Sequence, residues 1–488
     1  MLPIQDLVIP GPLWQALTTH LLRPNESGRE ATDEQMAFVM ASHNEGAGAV
    51  RLIAHDLLCA GPDDLAHQSA GGIGPTSSFV AAALSRCRSE GWSLIEVHSH
   101  PFDMSDHTSF SGIDWANDQL KMPALSRTVP YHATMVVGRR SLDAHYFNRG
   151  DGQIYPIREI VIVGPHFGRS DVARVTPTSA RGALVGEAQA RHDRQLPVVG
   201  AETQQRLEAA TVAVVGLGGL GSFVALELAH LGAGHLVLID PDTVEATNLN
   251  RLIGACERDI GRPKVAVFAE HIARLDASVR VTAVAEPIMG AHALAVAKMA
   301  DALVGCVDNH GARLVLNQLA LRYVIPLIDG GTGIRLGQTA AEHRLGGQVQ
   351  YVVPGVGCLE CRGLIDPRRA AFDLSTAEEQ AYERAHGYGL EETAPSVIHL
   401  NGVVASLQVA EVLGLFGGQT VPWPLQHMLI YDGIGQRLYP ATGVHEPDCV
   451  SCGIDGTIGV GDLAPIEPTT GSVMLRELPA ELQSGTAV

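Results

Sequence analysis

The segment Glu96-Val-His98-Ser-His100-Pro101 closes an apolar run with two histidines. Strand alternation puts both imidazoles on one face, where they can chelate zinc. Ser111-Gly-Ile-Asp114 follows at the spacing of a loop entering a helix, and Asp114 can supply a third protein ligand, leaving a fourth position for water. Such a set supports metal-assisted hydrolysis: zinc lowers the pKa of a water, a carboxylate takes its proton and a hydroxyl steadies the oxyanion.

A second constellation begins with the apolar run Thr211-Val-Ala-Val-Val215, followed at once by Gly216-Leu-Gly218-Gly219-Leu-Gly221. Glycines let the backbone turn sharply and approach phosphate closely, and the helix that follows attracts the anion at its N-terminus. Asp240, 24 residues after Gly216, ends the next apolar run, where its carboxylate can accept from ribose hydroxyls. The pattern alone suggests a dehydrogenase, but its continuation does not. Asp242, Asn248, Asn250 and Arg251 follow Asp240, then Lys264, then Asp308-Asn309. An arginine and a lysine near a phosphate site, with a carboxylate able to hold magnesium, suit phosphoryl chemistry; hydride transfer needs none of them.

Four of the eight cysteines form Cys358-Leu-Glu-Cys361 and Cys449-Val-Ser-Cys452. Two such knuckles supply the four soft ligands of a structural zinc site, the reading preferred over disulfides. Residues 362 to 448 contain no cysteine, so a covalent acyl intermediate on this chain has only Cys59, Cys87, Cys256 or Cys306 to use. Cys306 lies in an apolar strand pattern and reads as a core thiol, which leaves Cys256, in the loop after Arg251, as the candidate.

The elements that must position these residues fall into two blocks. Residues 1–165 read as a mixed α+β domain, with helices over 13–22 and 77–90 and strands over 35–42, 49–58 and 92–98. Further strand segments cover 128–137 and 160–163. Residues 166–186 read as a linker. Residues 187–456 alternate strand and helix as a doubly wound, Rossmann-like α/β domain, and 457–488 read as a flexible tail, with a docking tail as the alternative. The chain of 488 residues is 46% apolar and carries a formal charge of −19, which excludes disorder and argues against nucleic acid as a partner. No stretch of 18 residues is continuously apolar and the start lacks an export pattern, so the cytoplasm is the expected location, with no membrane association. Only three residues are lysine: Lys121, Lys264 and Lys298.

Residues 191–455 resemble the ThiF/MoeB/ubiquitin-activating superfamily. The motifs are Arg191-His-Asp-Arg194-Gln195, Gly216-x-Gly-Gly-x-Gly221, Asp242-x-Val244-x-x-x-Asn248-Leu-Asn-Arg251, Asp259-Ile-Gly261-x-x-Lys264 and Asp308-Asn309. The resemblance implies that Asp240 binds ribose, that Asn248, Arg251 and Lys264 contact the triphosphate of ATP, and that Asp308 holds Mg2+. It further implies that Arg194 reaches the neighbouring subunit's ATP across a homodimer interface. Leu252 stands where the family often has glutamine, and it is assigned no role.

Residues 10–165 resemble the JAB/MPN metalloproteases, or JAMM family, whose fold is cytidine-deaminase-like. The pattern is an early glutamate, His98-x-His100-Pro101, then Ser111-x-x-Asp114. The resemblance implies Glu34 as general base and Ser111 as the oxyanion group, with Glu96 the rival base because it shares the histidines' face. Ten residues separate His100 from Ser111, more than the family usually has, and Asp106 and His107 among them are the alternatives to Asp114.

Together the resemblances imply a bifunctional enzyme of the kind found in bacterial ubiquitin-like conjugation systems. One half adenylates the C-terminal carboxylate of a ubiquitin-like protein; the other hydrolyses peptide or isopeptide bonds at that terminus, to mature precursors or to cleave conjugates. The implied cofactors are ATP, Mg2+ and two Zn2+ per chain, one catalytic and one structural, and the acceptor is a conjugating enzyme or another partner thiol. The alternatives are activation and release of a sulfur-carrier protein for biosynthesis, and an inactive carrier-binding scaffold.

Overall fold

The computed structural model describes residues 2–24, 33–46, 48–165, 172–180, 190–385, 395–418, 421–423 and 425–466. They group into two compact units. The first comprises Met1–Gly186 with Arg322–Val324 and Ile458–Pro465, and the second holds the rest.

The strands of the first unit are β1 (Ile4–Pro10), β2 (Met36–Gly46), β3 (Ala49–Cys59), β4 (Leu65–Ser69), β5 (Gly72–Pro75), β6 (Ser93–Ser99), β7 (His132–Val137), β8 (Leu142–Asn148), β9 (Gln153–Pro156), β10 (Glu159–Val163) and β11 (Val172–Val175). Its helices are α1 (Gly11–Leu21), α2 (Ser77–Glu90) and α3 (Gly112–Leu125). One sheet runs in the order β11, β10, β1, β3, β2, β6, β7, β8, β9, with β4 and β5 as a separate pair. Alternate residues of β6 enter two cores. Ile95 and Val97 join Leu52, Ala133 and Met135 with Trp14, Leu17 and Leu21 of α1. Leu94 joins Met36 and Phe38 with Phe79, Ala83 and Cys87 of α2. The unit is thus an α+β sandwich with helices on both faces of the sheet.

Local chemistry sets the ends of these helices. Thr76 Oγ1 accepts from Phe79 N to start α2, and Gly91, at φ 76°, stops it in the left-handed region that glycine tolerates. Two segments differ from the sequence reading. Part of the expected linker forms β11, which adds antiparallel to β10 through backbone hydrogen bonds that need little side-chain pattern. Residues 166–171 and 181–186, also expected as linker, and 187–189, expected at the start of the second domain, lie outside the described residues. Ile458–Pro465, expected in the tail, belongs to the first unit: Ser42 Oγ donates to Gly459 O at 2.7 Å and His55 Nδ1 to Ile458 O at 2.8 Å. Tail residues 467–488 lie outside the described residues.

The second unit contains β12 (Thr211–Val215), β13 (His235–Ile239), β14 (Arg280–Val284), β15 (Ala302–Gly305), β16 (Leu327–Arg335), β17 (Arg344–Val352), β18 (Met428–Asp432) and β19 (Arg437–Ala441). Its helices are α4 (Leu196–Val199), α5 (Ala201–Ala209), α6 (Gly219–Leu231), α7 (Lys264–Leu275), α8 (Ala291–Ala297), α9 (His310–Arg322), α10 (Pro367–Leu374), α11 (Ala377–Ala385) and α12 (Ile398–Gly417). The sheet order is β14, β13, β12, β15, β16, β17, β18, β19. β14 to β16 pair in parallel and the last three strands continue as an antiparallel meander. The sequence reading ends its strand pattern at β15, because β16 and β17 carry Gly330, Gly331, Gly333, Gly346 and Gly347 where alternation would show. Among the described residues, α12 alone is long and apolar enough to cross a membrane; 72% of its apolar window is buried within the protein. It packs on α5, α6, β16 and β17 as a core helix.

Candidate functional site

Strand order in the second unit reverses between β12 and β15, and such a switch opens a crevice at the C-terminal ends of the strands. The glycine run leaves β12 there and enters α6. Gly216 has φ 89°, and a side chain on it would meet the backbone oxygen of Cys306 at 2.6 Å; one on Gly221 would meet Gly216 O at 1.8 Å. Only glycine fits either place.

Several of the expected nucleotide residues converge on this loop. Asp240, 4% exposed, accepts from Leu217 N at 2.5 Å and Asp242 N at 2.8 Å through its two oxygens. Each oxygen keeps another lone pair for a ribose hydroxyl. Burial raises the Asp240 carboxyl above its ordinary value, against the pull of Lys264. Lys264 is buried, its Nζ 2.7 Å from Asp242 Oδ2 and 3.7 Å from Asp240 Oδ1. Arg251 donates to Thr247 O at 2.7 Å, and its Cδ stands 3.2 Å from where a Cβ on Gly219 would be, so it lies against the first turn of α6. Asn248 Oδ1 accepts from Glu245 N and shapes the turn that delivers Arg251.

Asp308 is exposed just after β15. Next to it, Asn309 Oδ1 accepts from Ala312 N at the start of α9. Arg194 is exposed on the turn before α4; among the described residues no hydrogen bond or ion pair links it to the glycine loop. Sequence reasoning missed Asn401. This α12 residue is 2% exposed, accepts from Thr332 Oγ1 and places Nδ2 2.3 Å from where a Cβ on Gly219 would stand. Nothing in the local pattern of α12 marks it.

The four knuckle cysteines meet. Sγ to Sγ separations are 3.9 Å for Cys358 and Cys361, 3.7 Å for Cys358 and Cys449, and 3.4 Å for Cys361 and Cys452. Thiolates ~2.3 Å from a tetrahedral zinc stand ~3.8 Å apart, so the donor set fits that ion. Cys452 holds the Cys358 thiol below its ordinary value. Cys306 is pushed up by burial, which suits a core thiol, and Cys256 Sγ donates to Asp259 Oδ2 at 3.0 Å.

In the first unit, Glu34, His98 and His100 gather their ligand atoms within 4.8 Å of one another. Asp114 lies 3.5 Å from His98 Nε2 and 3.4 Å from His100 Nε2, and Glu34 Oε1 lies 3.8 Å from His100 Nε2. His98 Nε2 and Glu34 Oε2 are buried without a hydrogen-bond partner, a costly state that a cation and a water would relieve. Burial raises the Glu34 carboxyl, opposed by the two histidines. Burial also acts to raise Asp114, but the adjacent His100 and His98 imidazoles hold it well below the usual carboxylate range. Glu96 is turned to Lys121, with Oε1 2.5 Å from Nζ. Asp106 and His107 are exposed. Ser111 caps α3 in a reciprocal pair with Asp114: its Oγ accepts from Asp114 N, and its N–H donates to Asp114 Oδ2.

Comparison with known proteins decides the second unit. The model described as ThiF family matches residues 192–452, more than half of the chain. The chain belongs to the ThiF family. As a ThiF-family member it is 32% identical over 272 residues to the sulfur carrier protein adenylyltransferase of Thermus thermophilus, covering 55% of this chain and 92% of that protein. It is 30% identical over 271 residues to the SAMP-activating enzyme E1 of Haloferax volcanii, covering 55% and 90%. It is 32% identical over 301 residues to the adenylyltransferase and sulfurtransferase MOCS3 of Bos taurus, covering 61% of this chain and 60% of that longer relative. The ThiF match spans the glycine loop, Arg251, Lys264, Asp308, Asn401 and all four knuckle cysteines.

Proposed function

We propose that this ThiF-family protein uses ATP to adenylate the C-terminal carboxylate of a small carrier protein. The observation that carries the reading is Arg251 laid against Gly219 at the start of α6, with Lys264, at the start of α7, held beside Asp240, whose carboxylate accepts from the glycine loop at Leu217 N. The carboxylate attacks the α-phosphorus, an acyl-adenylate forms and pyrophosphate leaves. Charge grows on the transferring phosphoryl group, and the backbone N–H groups of α6, Arg251 and Lys264 would stabilise it. Asp308, exposed at the end of β15, is the residue that would hold Mg2+. The partner is of the sulfur-carrier kind, since the names of the Thermus and bovine relatives speak of sulfur carrier or sulfurtransferase activity. The SAMP-activating relative supports ubiquitin-like conjugation as the second reading.

In the first unit, His98, His100 and Asp114 would hold zinc, which supplies Lewis acidity and lowers the pKa of a water. Glu34 then takes the proton as general base, and hydrolysis at the carrier's C-terminus frees or recovers the carrier. Ser111 is the proposed oxyanion donor, Arg194 the proposed contact across a homodimer, and reduced cytoplasmic thiols the proposed ligands of a structural zinc. The test is exchange of labelled pyrophosphate into ATP with a panel of small carrier proteins. Exchange that requires a free carrier C-terminus supports the reading, and carrier binding without exchange would establish a scaffold instead.

A further inference from the structure

We propose that Lys121 is a positioning residue for the metal site of the first unit, tying the strand that carries His98 to the helix that carries Asp114. The inference rests on reading His98, His100 and Asp114 as metal ligands.

Asp114, Asp118 and Lys121 stand at i, i+4 and i+7 on α3, so they share one face. Opposite them, Glu96, Thr134 and His145 form a row across β6, β7 and β8, because Glu96 pairs with Thr134 and Thr134 with His145. The two rows interlock. Asp118 Oδ2 accepts from His145 Nε2 at 2.8 Å and from Thr134 Oγ1 at 3.0 Å. Lys121 Nζ donates to Glu96 Oε1 at 2.5 Å and stands 3.4 Å from Asp118 Oδ1. Asp118 is 3% exposed and Glu96 8%, so one ammonium group serves two buried carboxylates.

Glu96 precedes His98 by two residues on the same face of β6, and Asp118 follows Asp114 by one helical turn. Lys121 therefore bridges the two supports of the ligand set at the nearest inward positions that are not themselves ligands. Burial of an apolar side chain such as Met122 does not fix the slide or rotation of α3; directed bonds at Glu96 and Asp118 do. The need for such a pin is geometric: zinc takes nitrogen and oxygen ligands at ~2.0–2.2 Å, so a slide of α3 by one ångström removes Asp114 from reach. The ring of Phe110 continues the link, with its centroid 4.0 Å from that of His145 and 6.1 Å from that of His98.

The test is zinc affinity of the full chain by chelator competition, with the first-unit step identified as the one lost in His98→Ala with His100→Ala. Lys121→Met should weaken that step by roughly 10–100-fold, the usual effect of removing an outer partner of a metal site, and leave the thiolate step unchanged. Lys121→Arg, which keeps the charge and the donors, should restore most of the affinity. Because Lys121→Met takes the ammonium away from the buried Glu96 and from Asp118 Oδ1, it is paired with Lys121→Met/Glu96→Gln, which removes the Glu96 charge and protects folding. This double variant should still bind weakly, since the tie is gone. A folded Lys121→Met with wild-type affinity, or full recovery in the double variant, would overturn the inference. A wild-type protein that binds no metal at the histidine site overturns the metal reading itself, a separate outcome.

Discussion

The backbone N–H of Leu217 donates to Asp240 Oδ2 at 2.5 Å, so the middle of the glycine loop hangs from the end of the neighbouring strand. The other oxygen of Asp240 takes Asp242 N, and Lys264 stands beside it. One buried carboxylate thus shapes the loop and orders a cation next to it. Asp240→Ala leaves the Leu217 N–H unpaired, which costs about 1–3 kcal/mol for a buried donor. We expect the ATP Kd to rise at least tenfold by calorimetry, with Asp240→Asn falling between variant and wild type because it keeps one acceptor.

Arg251 and Asp308 act, on the proposed reading, where charge develops on the transferring phosphoryl group. Loss of one such contact costs about 10²–10³-fold in rate. Carrier-dependent pyrophosphate exchange should fall by at least about 10²-fold in both Arg251→Ala and Asp308→Ala; near wild-type exchange in both would refute the assignment.

Metal analysis of the wild type should find two zinc ions per chain. Cys358→Ser with Cys361→Ser should remove one and destabilise the second unit, because structural zinc contributes directly to folding. His98→Ala with His100→Ala should remove the other and leave the chain folded. Loss of both ions from either variant would show that the sites are not independent.

Glu34 and Glu96 separate by experiment. Removing a general base costs about 10²–10⁴-fold, so Glu34→Gln should abolish cleavage of a carrier fused at its C-terminus to a reporter. The same variant should leave pyrophosphate exchange on the mature carrier unchanged. Cleavage at the wild-type rate by Glu34→Gln would be evidence that another group accepts the proton.

Burial in α12 pushes the Glu411 carboxyl up from 4.5 to about 7, against the hydrogen bond it accepts from Gln426 N. A carboxyl raised in the folded state binds more protons there than when unfolded. Its contribution is therefore fully present below about pH 4.5 and is lost as pH rises through about 7, a change of about 3 kcal/mol. Glu411→Gln, which keeps an acceptor for Gln426 N, should raise the melting temperature at pH 8 and not at pH 4.5. Equal shifts at both pH values would show that Glu411 is not held protonated by burial.

The sequence by itself determined whatever depends on neighbours in the chain. Strand, glycine turn and helix at 211–231 follow from periodicity and from positions that only glycine can occupy. The shared face of His98 and His100 follows from the two-residue period of a strand, and the limits of α2 follow from Thr76 and Gly91. Tertiary structure decided what depends on distant meetings. Glu34 reaches the histidines from the approach to β2, while Glu96, on their own face, is drawn away by a lysine on α3. Asn401 comes to Gly219 from a helix near the other end of the unit, and Ile458–Pro465 returns to the first unit. Such contacts are fixed by long-range packing and by the pairing of buried polar groups, and neither leaves a period or a spacing in the local sequence.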